Sequence, residues 1–133
     1  PLEEITRDYY SSAFGQDADE AGSYLASLSR LFDPPYLRGE RPDGDAEAAQ
    51  RLDQVPALVD AFQPTIDRNQ QHPAPAVRAS WRYLAYHADY CRLLARCLAS
   101  RARGQREAAE AQGYHILTFT HSPDNEPWFP TKN

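Results

Sequence analysis

The sequence predicts an all-α fold, an antiparallel bundle of about four helices with an extended C-terminal tail. Apolar residues recur every three or four positions over several long segments, which is typical of amphipathic helices. Helix-capping residues precede these segments, and Gly or Pro follows them. The chain has 133 residues, of which 41% are hydrophobic and 25% are charged. These values are typical of one globular domain and argue against disorder.

The first two helices are predicted near residues 2–14 and 17–32. Gly15 favours a stop between them, because glycine commonly ends helices. Asp17 and Glu20 have the spacing of a capping box, which favours a new helix start there. The apolar faces of these helices consist of Leu2, Ile5, Tyr9 and Tyr10, then Ala21, Tyr24, Leu25, Leu28, Leu31 and Phe32.

The third helix is predicted near residues 45–69, after a loop over residues 36–44. Asp33-Pro34-Pro35 ends the second helix before this loop, because proline removes backbone donors. Asp45 is placed to cap the third helix, and Pro56 predicts a kink or a local break within it. The apolar row of this helix consists of Leu52, Val55, Val59, Phe62 and Ile66.

The fourth helix is predicted near residues 76–103. Gly104 weakens the helical pattern and Gly113 ends it. Because its apolar residues cover two faces, we expect this helix at the centre of the bundle. One face consists of Val77, Trp81, Leu84, Ala88, Cys91, Ala95 and Leu98, and the other of Tyr83, Tyr90, Leu94 and Cys97. The predicted core consists of Leu28, Phe32, Val59, Phe62, Trp81 and Leu84.

Residues 1–113 form the predicted helical bundle domain, and residues 114–133 form an extended tail or a linker to a neighbouring domain. Residues 116–120, Ile-Leu-Thr-Phe-Thr, have β-type side chains but no second strand to pair with. Trp128 and Phe129 favour burial, and we expect them to contact another domain or another copy. The alternative is that the tail folds back over the second face of the fourth helix.

The charge of the chain and the lengths of its apolar segments exclude some functional classes. The net charge of -5 argues against general nucleic-acid binding, although residues 78–106 hold seven arginines that spread around a helix. No apolar run approaches the roughly 18 residues of a membrane-spanning helix. The chain begins at Pro1 and contains no methionine, so we expect a fragment, a processed chain or an excised domain.

No catalytic, cofactor-binding or metal-ligating residues are assigned, and no cofactor is expected. The sequence has no glycine-rich phosphate loop, no Gly-x-Ser-x-Gly turn and no His-Glu-x-x-His motif. The two Glu-x-x-His motifs of di-metal helical bundles are missing as well.

Residues of reactive types are predicted to have structural roles. Cys91 and Cys97 lie on one helix about 240° apart, so they are predicted to be free thiols. His87 is predicted to be a hydrogen-bonded residue at the edge of the core. His121, with the nearby Asp124 and Glu126, has the side chains to hold a metal, but a polar turn explains them equally well. Packing is favoured over sugar stacking for the aromatic residues Tyr9, Tyr10, Tyr24, Tyr36, Trp81, Tyr83, Tyr86 and Tyr90.

Three stretches of the chain point to a known type of domain. They are residues 7–15 (RDYYSSAFG), residues 24–32, and residues 80–87 (SWRYLAYH) with the alanine- and arginine-rich helix after them. Together they resemble the helical region that follows the catalytic barrel in bacterial glycoside hydrolases of the β-hexosaminidase-like and α-glucuronidase-like groups. The resemblance implies that the barrel carries the catalytic carboxylates and that this region braces the barrel or a subunit contact. No barrel strands are present here, so no catalytic residue carries over.

Two functions of different classes follow. The first is a non-catalytic accessory domain of a larger carbohydrate-active enzyme, whose partner is the catalytic domain of the same parent protein or another subunit. The alternative is an independent helical module that binds a protein partner through an apolar groove. Either function is compatible with a homo-oligomer. If the parent protein has the alternating strands and helices of a (β/α)-barrel directly before Pro1, the accessory-domain function is favoured. We expect the chain alone to lack glycosidase activity, which needs two carboxylates held about 5–10 Å apart.

Overall fold

A computed structural model describes residues 2–40, 45–125 and 127–128, and every regular element in these residues is a helix. The all-α helical bundle predicted from the sequence is confirmed. In chain order the α-helices are α1 (Leu2–Phe14), α2 (Ala18–Phe32), the single-turn α3 (Pro34–Leu37), α4 (Asp45–Leu52), α5 (Val55–Asn69), α6 (Pro75–Ala102) and α7 (Arg106–Thr120). Short 3₁₀ turns lie at Gly15–Asp17 and Pro123–Asn125. None of the helices in the described part of the chain is long and apolar enough to cross a membrane.

Helix α6 lies at the centre of the bundle, as its two apolar faces predict. It packs against α1, α4, α5 and α7. Trp81 in its second turn is fully buried, and its indole Nε1 donates a hydrogen bond to the carbonyl oxygen of Phe14 at 2.9 Å. This bond connects the C-terminal end of α1 to the N-terminal part of α6.

The predicted core agrees with the structure, with two residues at its edge. Leu28, Val59, Trp81 and Leu84 are buried. Phe32 and Phe62 are partly buried and pack against the core. The Phe62 ring stacks on Tyr24 with 4.1 Å between ring centroids, so it shields one side of the core.

Two proline-dependent predictions are correct. The predicted third helix is divided into α4 and α5 by residues 53–54, and Pro56 lies in the first turn of α5, where it needs no helical donor. Helix α2 ends at Phe32, and the next residue, Asp33, has a left-handed φ of 49° and is followed by Pro34.

The two predicted acidic caps are wrong, because side chains of other elements bind these carboxylates. Asp17 accepts hydrogen bonds from Asn69 Nδ2 at 2.8 Å and from Arg68 Nε at 3.2 Å, and it makes no side-chain cap to α2. The Asn69 and Arg68 interactions hold the pKa of Asp17 below its usual value. Asp45 is the first helical residue of α4, and it accepts a hydrogen bond from the Tyr36 hydroxyl at 2.6 Å.

The largest difference from the sequence prediction lies after α6. Residues 106–120 form α7, so the strand-like character predicted for residues 116–120 and the extended tail there are wrong. Gly104, with a φ of 74°, lies just after the end of α6, whereas Gly113 lies inside α7. The predicted boundary after residue 113 therefore falls within a helix. A linker to a neighbouring domain stays a prediction.

The segment after α7 returns to α6. Trp128 contacts the rings of Tyr83 and Tyr86, with centroid distances of 5.2 Å and 6.0 Å. The tail thus folds back over the second face of α6, and the expectation that Trp128 contacts another domain or another copy is wrong. Phe129 lies outside the described residues.

Candidate functional site

Helix α1 exposes an apolar row that we call the α1 row: Leu2, Ile5 and Tyr9. These side chains are 78%, 67% and 65% exposed. Steps of three and four positions place them on one side of the helix. Tyr10, Ala13 and Phe14 hold the same helix against the core, and the α1 row lies beside this packed face with most of its surface exposed.

The charged residues of α1 have one predominant sign. Within α1, Glu3, Glu4 and Asp8 are acidic and Arg7 is the one cation. All four residues are exposed. At 100° per residue, Asp8 and Glu4 lie about 60° and 100° from Ile5, so an acidic border runs along one side of the row.

A second surface, which we call the aromatic groove, consists of two adjoining depressions beside α6. One lies between α2 and α6 and has a volume of about 350 Å³; the other also borders α1 and has a volume of about 450 Å³. Leu25, Tyr83 and His87 line both depressions. The other aromatic residues of the lining are Phe32, Tyr86 and Tyr90 in the first depression and Tyr9, Tyr10 and Phe14 in the second.

The lining of the aromatic groove contains no Asp, Glu, Lys or Arg among the residues that the structure describes there. Its one imidazole, His87, is half-buried, and this burial lowers its pKa. Burial also raises the pKa of Tyr86 to about 12. The groove is therefore uncharged at neutral pH.

His87 and Cys91 form a contact that resembles a nucleophile and its base. The Cys91 sulfur lies 3.6 Å from His87 Nε2 and 3.7 Å from Nδ1. Burial raises the pKa of the Cys91 thiol to about 12, so the thiolate that nucleophilic attack needs does not form at neutral pH. The pair is a neutral packing contact. His87 was predicted to be hydrogen-bonded, and its partner is the Cys91 sulfur.

The remaining candidate residues are dispersed. Cys91 and Cys97 are free thiols, as predicted. His121 is exposed, and its Nδ1 lies 2.8 Å from the carbonyl oxygen of Leu117 at the end of α7. Asp124 is exposed as well, Glu126 is outside the described residues, and the described residues contain no group of three metal-ligating side chains.

The aromatic residues divide into packed and exposed sets. Tyr10 stacks on Phe14 and Tyr24 on Phe62, as the packing hypothesis expects. Tyr83, in contrast, is 43% exposed. The sequence showed the α1 row as an apolar face, but it did not show that no other helix covers this face. The groove was not predicted because α1, α2 and α6 contribute its walls from distant parts of the chain.

No protein family, no curated protein and no solved structure matches this chain. The resemblance to the helical region of glycoside hydrolases therefore stays a prediction, and the functional argument depends on the surface itself.

Proposed function

We propose that this chain is a non-catalytic helical docking domain that inserts the α1 row into an apolar groove of a protein partner. One observation carries the proposal: Leu2, Ile5 and Tyr9 are each at least 65% exposed on one side of a formed helix. Anchors at positions i, i+3 and i+7 are typical of helix-in-groove recognition. Full burial of each such side chain contributes about 1.5–3 kcal/mol.

The acidic border defines the chemistry of the partner. Asp8 and Glu4 lie along one side of the row, and Arg7 lies on the opposite side of the helix. A partner groove bordered by Lys or Arg complements this charge, which increases the association rate and selects the orientation. The partner surface is thus apolar at its centre and basic at its rim.

A role without catalysis agrees with the chemistry of the described residues. The buried Cys91 thiol, the most suggestive nucleophile, stays protonated because burial raises its pKa to about 12. The resemblance to glycoside hydrolases supports one specific partner, the catalytic barrel of the same parent protein, which this domain braces. An independent interaction module uses the same surface on a separate protein.

Site-specific photo-cross-linking tests the proposal. A benzophenone amino acid replaces Ile5 in one variant and Ser11 in the control, within the cells that produce the protein. Both positions are exposed on α1, and Ser11 lies about 150° around the helix from the row. We expect one discrete adduct from the Ile5 variant and none from the Ser11 variant.

The adduct partner is then purified and its affinity measured. Ile5→Ser should weaken binding at least tenfold, whereas Ser11→Ala should leave it unchanged. An adduct with a barrel domain supports the bracing role, and an adduct with a separate protein supports the independent module. A missing adduct, equal adducts at both positions, or an adduct between two copies of this chain contradicts the proposal.

A further inference from the structure

The aromatic groove is distinct from the docking proposal, and only Tyr9 belongs to both surfaces. We propose that the aromatic groove binds a small, uncharged aromatic molecule. Three properties of the groove support this: its size, its lack of charge and the bonding of His87.

The size of the groove fits a ring system. Ligand sites commonly occupy about 300–1,000 Å³, and the two depressions have volumes of about 350 Å³ and 450 Å³. Leu25, Tyr83 and His87 lie in both linings, so the depressions adjoin each other. A ligand with one ring system in each depression contacts His87 at its middle.

The absence of charged side chains from the described lining favours a neutral ligand. A quarter of the whole chain is charged, yet the described lining contains no Asp, Glu, Lys or Arg. An ionised ligand that enters the groove loses hydration and gains no counter-charge, which is costly. A neutral molecule avoids this cost, and tyrosine rings offer it offset-stacked or edge contacts.

His87 provides the polar contact that orients such a ligand. The hydrogen-bond partner of its ring among the described residues is the Cys91 thiol at 3.6 Å, and sulfur is a weak partner. A hydroxyl, amide or arylamine group of a ligand replaces that contact with a stronger hydrogen bond. The ligand class is therefore a planar apolar molecule with one polar, uncharged group.

Two related dyes test the inference on the whole chain. N-phenyl-1-naphthylamine is neutral and has one N–H group, and 8-anilino-1-naphthalenesulfonate has the same rings with an added negative charge. We expect saturable fluorescence enhancement with one neutral dye per chain, and at least tenfold weaker binding of the sulfonate. No saturation, or equal affinity for the two dyes, overturns the inference.

A matched pair of variants locates the dye. Ala79 lines the groove, Ala61 lines a different depression between α2 and α5, and both alanines are exposed on helices. Ala79→Glu introduces a negative charge beside the groove and should weaken binding of the neutral dye at least tenfold. Ala61→Glu should leave it unchanged.

Ile5→Ser separates this inference from the docking function, because Ile5 belongs to the α1 row and not to the groove. The dye affinity should be the same with and without this change. If Ala79→Glu and Ala61→Glu weaken dye binding equally, or if Ile5→Ser weakens it, the dye binds elsewhere and the inference is overturned. Circular dichroism of each variant verifies that the helices remain.

Discussion

Helices α6 and α7 lie side by side in opposite directions, yet they are held in very different ways. Nine residues of α6 are buried, whereas α7 buries none. Helix α6 is surrounded by four other helices, and α7 packs mainly on α6. The comparison shows that two helices in one small bundle can differ greatly in how much of their stability comes from burial.

A few specific contacts attach α7. Phe119 stacks on Tyr86 at 5.4 Å, and the Cys97 sulfur donates to the carbonyl oxygen of Ala109 at 3.4 Å. On the outer side, Tyr114 and Leu117 are 70% and 57% exposed. Local opening free energies within one domain extend from near zero to the global value, and a helix with few buried contacts lies at the low end.

Alanine substitutions in the two helices should give the largest contrast. Trp81→Ala removes a fully buried side chain and its hydrogen bond to Phe14, so we expect a loss of about 3–5 kcal/mol in the free energy of unfolding. Phe119→Ala removes a partly exposed ring and should cost about 1 kcal/mol. Denaturant titration measures both, and equal losses would contradict the comparison.

The two cysteines report the opening of each helix separately. Cys91 is buried in the core and burial raises its pKa to about 12, whereas Cys97 lies beneath α7. In single-cysteine variants Cys91→Ala and Cys97→Ala, a disulfide reagent at pH 8 measures each remaining thiol. We expect Cys97 to react about 100-fold faster, because α7 separates from α6 more easily than the core opens. Similar rates for the two thiols would mean that α7 opens only together with the core.

Substituting alanine for each of two glycines in this region should change the stability of the protein in opposite directions. Gly104 has a φ of 74°, so Gly104→Ala should cost about 1–2 kcal/mol. Gly113 is inside α7, and a Cβ there meets its nearest neighbour, the Cys97 sulfur, at an ordinary 4.0 Å. Gly113→Ala should stabilise the protein by about 0.5–1 kcal/mol through helix propensity. Thermal unfolding measures both changes, and destabilisation by both would show that α7 has no room for a methyl group there.

The smallest expected effect is spectroscopic. In a Trp81→Phe variant, Trp128 is the one remaining tryptophan. Because its ring contacts Tyr83 and Tyr86, we expect a modest blue shift and partial protection from a soluble quencher in the monomer. Adding Tyr83→Ala should reduce both. A fully solvent-exposed spectrum before that second change would show that the tail does not stay on α6.

The same contrast explains what the sequence predicts well and what it does not. The limits of α6 follow from its own residues, since proline begins the helix, a glycine follows its end and apolar positions recur between them. Helix α7 contains Ile116, Thr118 and Thr120, whose propensity favours strands, yet these residues are helical in α7, which packs along α6. The candidate surfaces were the least predictable, because exposure of the α1 row depends on which helices pack elsewhere.

The hydrogen bond between Trp81 and Phe14 also has a consequence for the order of folding. Its two residues are 67 positions apart, whereas α5 and α6, and likewise α6 and α7, are joined by short turns. Closing a long loop costs more chain entropy and takes longer than pairing helices that are neighbours in sequence. We therefore expect α1 to dock last during folding, after α6 has paired with its neighbours.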